Sequence, residues 1–225
     1  ISSGHGSEDT ITDMIRCASE SGLSLFGISD HGPATSSSAK PSYFQSLKLA
    51  DRDRFGIRVL YGAELNIINT SGDVDLDDEI LSALDYAIIS IHPPIFKPYH
   101  DKDLSSAYIR AMDHPKVRFL GHIDDARFPV DFEYLLEIAK EKHVYPEINN
   151  GSLMPDAYRI NGQENCRRIL SICKKLDLPV LLSSDSHGKK NIGNMQYIFP
   201  LLEELDFPAH LVLNSDLSVL SEIIQ

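Results

Sequence analysis

The sequence predicts an α/β fold in which parallel strands alternate with helices and close into a barrel. Short apolar runs of strand length recur along the 225-residue chain without polar alternation, which is typical of parallel strands covered on both faces. Segments with apolar residues at helical spacing lie between these runs. Successive runs end in polar residues roughly 30 positions apart, close to the length of one βα unit of a barrel.

The elements follow one another in a regular order. The runs predicted as strands cover residues 25–29, 59–65, 86–91, 118–121, 144–149 and 180–184, with a weaker seventh at 211–214. Helices are predicted within residues 8–21, 131–143 and 165–176, where apolar residues recur at helical spacing. No linker or break in composition interrupts this order, so residues 1–225 are predicted to form a single domain.

Composition narrows the function classes. The formal net charge of -12 repels polyanions, so no nucleic acid partner is expected. No apolar run reaches the length of about 18 residues expected of a membrane span, and the N-terminus ISSGHGSEDT lacks the features of a signal peptide. The 3 cysteines form no CxxC pair, which fits a reducing compartment. We therefore expect a cytoplasmic protein without a membrane partner, and the oligomeric state stays open.

Most of the polar residues at the ends of the predicted strands are of the types that bind metals. They are His31, Glu64, His92, His122, Asp185 and His187, and one further strand ends in Asn149 and Asn150. In a barrel the carboxyl ends of all strands open on one face, so these side chains should converge. Imidazoles and carboxylates without cysteine suit zinc, iron, manganese or cobalt in an open catalytic site. The donors outnumber the ligands of one tetrahedral ion, which favours two or three divalent ions, with Glu64 as a bridge.

Each histidine also has a structural interpretation when taken alone, and only the recurrence at strand ends favours metal binding. His100, His114, His143 and His210 lie outside the pattern and are assigned structural roles. Five further charged residues near the predicted strand ends are interpreted separately. Asp30 is expected to face away from His31 and to support a neighbouring group or cap a turn. Asp124 and Asp125 are expected to be solvated, as adjacent acids in a loop usually are, with contact to metal or substrate as the alternative. Arg127 and Arg159 either bind phosphate or form surface ion pairs.

A set of motifs in a fixed order resembles the PHP (polymerase and histidinol phosphatase) domain family, in its stand-alone phosphatase-like branch. The motifs are FGISDHGP, YGAELNI, ISIHPPIF, FLGHIDDARF, PEINNGS and SSDSH, and the resemblance that they carry runs over nearly the whole chain. The resemblance implies a distorted (β/α)7 TIM-like barrel with a trinuclear metal centre that hydrolyses phosphate esters. It implies that the six strand-end residues are metal ligands and that His5, in SSGHGS, is one more.

One feature departs from the family pattern. The family opens with a strand that ends in a His-x-His motif, whereas this sequence has no such motif and its first predicted element is already a helix. The first strand of the barrel is therefore expected to be missing from this chain, and truncation is the simplest explanation.

These observations predict a metal-dependent phosphoesterase that hydrolyses a small phosphorylated metabolite. The expected nucleophile is a metal-bound hydroxide, no protein nucleophile is assigned, and zinc is the first choice of metal, with manganese and iron as alternatives. An amidohydrolase-type C–N hydrolase is a second hypothesis, but no lysine stands at a ligand position. A third is a metal-binding regulatory protein whose catalysis is impaired because the His-x-His strand is absent.

Overall fold

The computed structural model describes residues 9–93, 95–96 and 102–224, and its centre is a predominantly parallel sheet that forms a half-barrel. The strands are β1 (Leu25–His31), β2 (Asp53–Arg54), β3 (Ile57–Asn66), β4 (Tyr86–Ser90), β5 (Val117–Leu120), β6 (Tyr145–Asn149) and β7 (Leu181–Ser183). Their order is β1-β3-β4-β5-β6-β7 with parallel neighbours, and the short β2 pairs antiparallel with β3. The six main predicted strands are therefore confirmed.

Helices connect the parallel strands. They are α1 (Ile11–Glu20), α2 (Pro41–Ser46), α3 (Asp78–Leu81), α4 (Ser105–Ala111), α5 (Phe132–Glu141), α6 (Gly162–Leu176), α7 (Ile198–Glu204) and α8 (Leu217–Ile224). The predicted helices are confirmed as α1, α5 and α6. α1 starts where the sequence provides a capping box, in which Thr10 and Asp13 each accept a hydrogen bond from the backbone of the other. The single domain proposed for residues 1–225 stays a prediction.

The prediction of a seventh strand at residues 211–214 was wrong. Two short 3₁₀ turns occupy this segment, and only Val212 forms a parallel bridge, to Val180. The side chain of Asn214 takes the place of a strand partner: its Oδ1 accepts from the Leu182 N–H at 2.7 Å, and its Nδ2 donates to the Leu182 carbonyl at 3.0 Å. One amide side chain thus satisfies the edge of β7, where strand pairing was expected.

Two apolar layers cover the sheet. A large cluster lies between the strands and the surrounding helices and includes Met14, Phe44 and Leu135. A smaller one lies on the other face of the sheet, where Tyr86 and Phe119 pack edge to face with centroids 5.7 Å apart. β3 is buried along almost its whole length because it lies between β1 and β4 and is covered on both faces.

None of the helices that the structure describes combines the length and the apolarity needed to cross a membrane.

Gly72 provides a test of the packing between α4 and the loop after β3. Its φ is +83°, and a Cβ there would lie 2.8 Å from the Ala107 carbonyl oxygen and 2.9 Å from the Ala111 nitrogen, both in the α4 backbone. We expect Gly72→Ala to lower the free energy of unfolding by about 2–4 kcal/mol, from backbone strain plus overpacking. Urea unfolding measures this loss.

Gly22→Ala is the matched control for Gly72→Ala. Gly22 has almost the same φ, +80°, but its Cβ would meet nothing within 4 Å. Only the conformational cost of about 1 kcal/mol is expected at this position. Equal losses in the two variants would show that the α4 contact contributes nothing.

Candidate metal centre

The residues predicted as ligands gather at the carboxyl ends of the strands. His31 is the last residue of β1, and the parallel register places it beside Glu64 of β3. His92 and His122 follow β4 and β5, whereas Asp185 and His187 follow β7. His5, the remaining predicted ligand, lies outside the described residues.

Glu64 is the centre of the cluster. Its Oε2 lies 3.2 Å from His31 Nδ1, and its Oε1 lies 3.0 Å from His122 Nε2 and 3.4 Å from His92 Nε2. The two carboxylate oxygens therefore face different imidazoles. One buried carboxylate links histidines from three separate strand ends.

The imidazoles also approach one another. The His31 and His92 ring centroids are 4.7 Å apart, those of His92 and His122 are 5.0 Å apart, and His187 lies 6.1 Å from His31 by the same measure. One potential ligand atom from each of His31, Glu64 and His92 falls within 4.8 Å of the other two. This spacing suits donors that share a metal ion.

The charge states in the cluster suit coordination. Burial by itself would raise the pKa of Glu64, yet the neighbouring His31, His122 and His92 hold the pKa of this carboxyl well below its usual range. Burial lowers the pKa of His122 to about 4, and the positive charge of Arg159 acts in the same direction. An ionised carboxylate and a neutral imidazole are the forms that bind metals.

Asp185 forms the other side of the site. Its Oδ2 accepts from Asn149 Nδ2 at 3.0 Å and from Arg159 Nη2 at 2.9 Å. Its Oδ1 lies 3.8 Å from His187 Nδ1. Burial opposes ionisation here as well, but the charge and hydrogen bond of Arg159, together with the charge of His187, lower the pKa of Asp185.

Asp185 and His187 lie on a turn beyond the end of β7. β7 ends at Ser183, and Asp185 has a φ of 45°, in the left-handed region. The Asp185 N–H donates to Ser183 Oγ at 3.0 Å, and His187 Nδ1 lies 2.9 Å from the Asp185 carbonyl oxygen. A turn closed by local hydrogen bonds therefore carries both side chains.

Sequence reasoning missed Asn66. Its Oδ1 lies 2.7 Å from His92 Nδ1, while its backbone and side-chain N–H groups donate to the two oxygens of Asp75 at 2.9 and 2.6 Å. Asp75 also accepts from the Ala34 N–H at 2.9 Å. The signal in the sequence was a polar residue on the same face of β3 as Glu64, in an otherwise apolar strand.

Glu147 of β6 was missed as well. It is buried, and its Oε2 accepts from the His122 N–H at 2.8 Å, which ties β6 to the loop after β5. Burial, followed by the negative charge of Asp185, raises the pKa of Glu147 to about 7. The sequence signal was a carboxylate inside the apolar run PEIN.

The prediction that Asp124 and Asp125 are solvated was wrong, because both are buried. The segment before α6 folds over their loop: the Ala126 N–H donates to the Ile160 carbonyl at 2.9 Å, and Asp125 pairs with Arg127. Burial raises the pKa of Asp124 to about 6, against the opposing charge of Arg159. The covering segment is distant in sequence, so the residues next to Asp124 and Asp125 gave no sign that the two carboxylates would be buried.

The remaining expectations concern Asp30, which precedes His31, and the four histidines outside the strand-end pattern. Asp30 is buried and accepts a hydrogen bond from the Tyr43 hydroxyl, in line with a supporting role. His114 Nδ1 lies 2.7 Å from Asp78, and the exposed His210 contacts Asp177 at 3.4 Å, so both contact carboxylates outside the cluster. His143 follows the end of α5, and His100 lies outside the described residues.

Together, the half-barrel and the imidazole and carboxylate donors at its strand ends define the class of barrel-type proteins with a candidate metal centre. Within this class the chain belongs to the PHP domain family, whose profile matches residues 1–151.

Two related proteins align with almost the whole chain. A probable phosphatase of Clostridium acetobutylicum is 36% identical over 96% of this chain and 87% of its own length. A probable phosphatase of Acetivibrio thermocellus is 33% identical over 100% of this chain and 92% of its own.

Two solved structures share the fold at 19% identity. A histidinol phosphate phosphatase from Lactococcus lactis, complexed with zinc, L-histidinol and phosphate, has a TM-score of 0.62 and covers 92% of this chain and 92% of its own. A chain of archaeal ribonuclease P, solved with mature tRNA, has a TM-score of 0.64 and covers 96% of this chain and 87% of its own. These two likenesses concern the fold.

Proposed function

We propose that this protein is a metal-dependent phosphatase that hydrolyses a small phosphorylated metabolite. The observation that carries the proposal is the position of Glu64, whose two buried oxygens face imidazoles from three other strand ends. The names of the Clostridium acetobutylicum and Acetivibrio thermocellus relatives support phosphatase activity. The zinc and phosphate in the Lactococcus lactis enzyme point the same way.

The donor set fits divalent metal ions. It combines imidazole nitrogens with carboxylate oxygens and contains no sulfur, and a buried ionised carboxylate such as Glu64 requires a positive charge beside it. The residues proposed to hold two or three ions, zinc first and manganese or iron as alternatives, are His31, Glu64, His92, His122, Asp185 and His187, with His5 as a further ligand. When bound, such ions supply Lewis acidity and lower the pKa of a coordinated water.

The protein contributes the geometry of the site. Asn66 holds His92 through Nδ1, which leaves His92 Nε2 facing Glu64 and His122. Glu147 fixes the backbone at His122. These contacts position the imidazoles before a substrate arrives, so reorganisation during the reaction is small.

The charge of the chain favours a small substrate. A net charge of -12 opposes long polyanions, whereas divalent ions make the cluster locally positive and attractive to one phosphate group. The site is therefore proposed to act on a phosphorylated metabolite rather than on nucleic acid.

The function is tested with the full-length protein and p-nitrophenyl phosphate, in the presence of zinc or manganese. We expect hydrolysis that stops on chelation and returns when metal is added, with bis-p-nitrophenyl phosphate as the diester comparison. Turnover that survives chelation would exclude a metal mechanism. Metal binding without turnover of either ester would favour the regulatory alternative.

A further inference from the structure

Arg159 is a buried cation at the edge of the site. Its Nη2 donates to Asp185 Oδ2 at 2.9 Å, and its Nη1 donates to Ser152 Oγ at 3.1 Å. The side chain is 16% exposed, and that of Asp185 is 20% exposed. The sequence left open whether this arginine binds phosphate or forms a surface ion pair, and the structure shows a largely buried pair.

Both donors near Asp185 act on the same carboxylate oxygen. Arg159 Nη2 and Asn149 Nδ2 approach Oδ2, whereas Oδ1 points toward His187 Nδ1 at 3.8 Å. Two hydrogen bonds occupy Oδ2 and fix the rotation of the carboxylate plane, which leaves Oδ1 for a ligand on the histidine side.

We propose that Arg159 is a positioning residue that orients Asp185, so that Oδ1 alone is presented to a metal ion. The inference rests on the proposed function, because it takes Asp185 as a metal ligand. It assigns Arg159 to holding the metal centre rather than to binding the substrate's phosphate.

The surroundings of Arg159 support positioning over phosphate binding. Both terminal nitrogens are engaged by protein oxygens, from Asp185 and Ser152, and the buried Asp124 adds a second negative charge nearby. A guanidinium compensated in this way has little charge left to attract an anion. A phosphate that reached the remaining N–H groups would also lie close to the negative charges of Asp185 and Asp124, which repel it.

The backbone around Arg159 is fixed independently of the metal. Ile160, the next residue, donates its N–H to Asp125 Oδ1 at 3.4 Å and accepts from the Ala126 N–H at 2.9 Å. Ser152 belongs to the 3₁₀ turn directly after β6. The backbone beside Arg159 is thus tied to the loop after β5, while the guanidinium contacts residues that follow β6 and β7.

The chain offers a closely matched control in the pair of Arg52 and Asp85. These side chains are 17% and 20% exposed, and Arg52 Nη2 lies 3.2 Å from Asp85 Oδ1. Asp85 precedes β4, so this pair lies at the amino ends of the strands, away from the metal cluster. Loss of Arg52 removes an equally buried ion pair without touching the site.

The experiment compares Arg159→Met, Arg159→Lys and Arg52→Met in the full-length protein. Zinc affinity is measured by competition with a chromophoric chelator, and kcat and KM are measured with p-nitrophenyl phosphate. We expect Arg159→Met to weaken zinc binding by about 10–100-fold, as loss of a residue that orients a ligand typically does. Arg159→Lys, which keeps one donor for Asp185, should show a smaller loss, and Arg52→Met should bind zinc like the wild type.

The outcomes separate the possibilities. If Arg159→Met binds zinc like the wild type but has a higher KM and weaker inhibition by inorganic phosphate, Arg159 is a phosphate ligand and the proposal is wrong. Equal loss of zinc in Arg159→Met and Arg52→Met would mean general destabilisation and would also overturn it. If Arg159→Met does not fold, Arg159→Lys decides. A lysine cannot hold Asp185 and Ser152 at the same time through a rigid guanidinium, so unchanged zinc affinity in that variant contradicts positioning by a group fixed at both residues. A wild-type protein that binds no zinc or manganese would instead contradict the proposed function itself.

Discussion

Replacing Glu64 with Gln is expected to remove metal binding and to lower kcat/KM by more than about 100-fold. This loss exceeds the one that typically follows mutation of a residue that only holds a metal ligand in place. The substitution keeps the size of the side chain but removes the negative charge that faces His31, His92 and His122. A neutral amide cannot bridge two cations through two oxygens. Metal content by elemental analysis and turnover of p-nitrophenyl phosphate measure the two effects.

Glu133→Gln is the control for this substitution. Glu133 lies on α5, is largely exposed and pairs with Arg168 at 2.6 Å on the surface. The same chemical change there should leave metal content and turnover unchanged, because exposed ion pairs contribute little. If Glu64→Gln kept both metal and activity, Glu64 would not be a ligand.

Asn66→Ala is expected to lower zinc affinity and kcat/KM by about 10–100-fold, although Asn66 is not a proposed ligand. The change removes the group that holds His92 Nδ1, and with it the side-chain hydrogen bond to Asp75. His92 would then be free to rotate, and Asp75 would lose a donor. Zinc affinity and steady-state kinetics, measured on the same preparation, give the two values.

Asn69→Ala is the matched control for Asn66→Ala. The Asn69 amide also donates to an aspartate, Asp73, at 2.7 Å, but in an exposed loop outside the site. We expect wild-type zinc affinity and kinetics from this variant. Equal effects at the two positions would show that the contact to His92 does not matter.

Much of the fold could be predicted because the strands and several helices leave a pattern in the sequence of their own residues. Continuous apolar runs predicted the six main strands, and helical spacing predicted α1, α5 and α6. The strand-end spacing predicted which polar residues would meet, because parallel strands bring their carboxyl ends to one edge. The proposed ligand positions could be recognised in the sequence because a polar residue at the end of a buried strand is unusual in its local context.

The parts that were missed depend on contacts between segments distant in sequence. Asn66 and Glu147 each contact a histidine on a loop that follows a neighbouring strand. In the sequence around each of them, the only sign of such a contact is a polar residue in an apolar strand. Asp124 is buried because α6 and the segment before it cover its loop. The expected strand at 211–214 failed because one side chain, Asn214, pairs with the β7 backbone in place of a strand.

The most direct test of the metal centre is elemental analysis of the full-length protein, titrated with a chelator while hydrolysis of p-nitrophenyl phosphate is followed. If the cluster around Glu64 holds the catalytic ions, the protein should contain roughly two to three divalent ions per chain. Activity should fall in step with their removal and return when zinc or manganese is restored. Full activity in a protein stripped of metal would contradict the proposed mechanism.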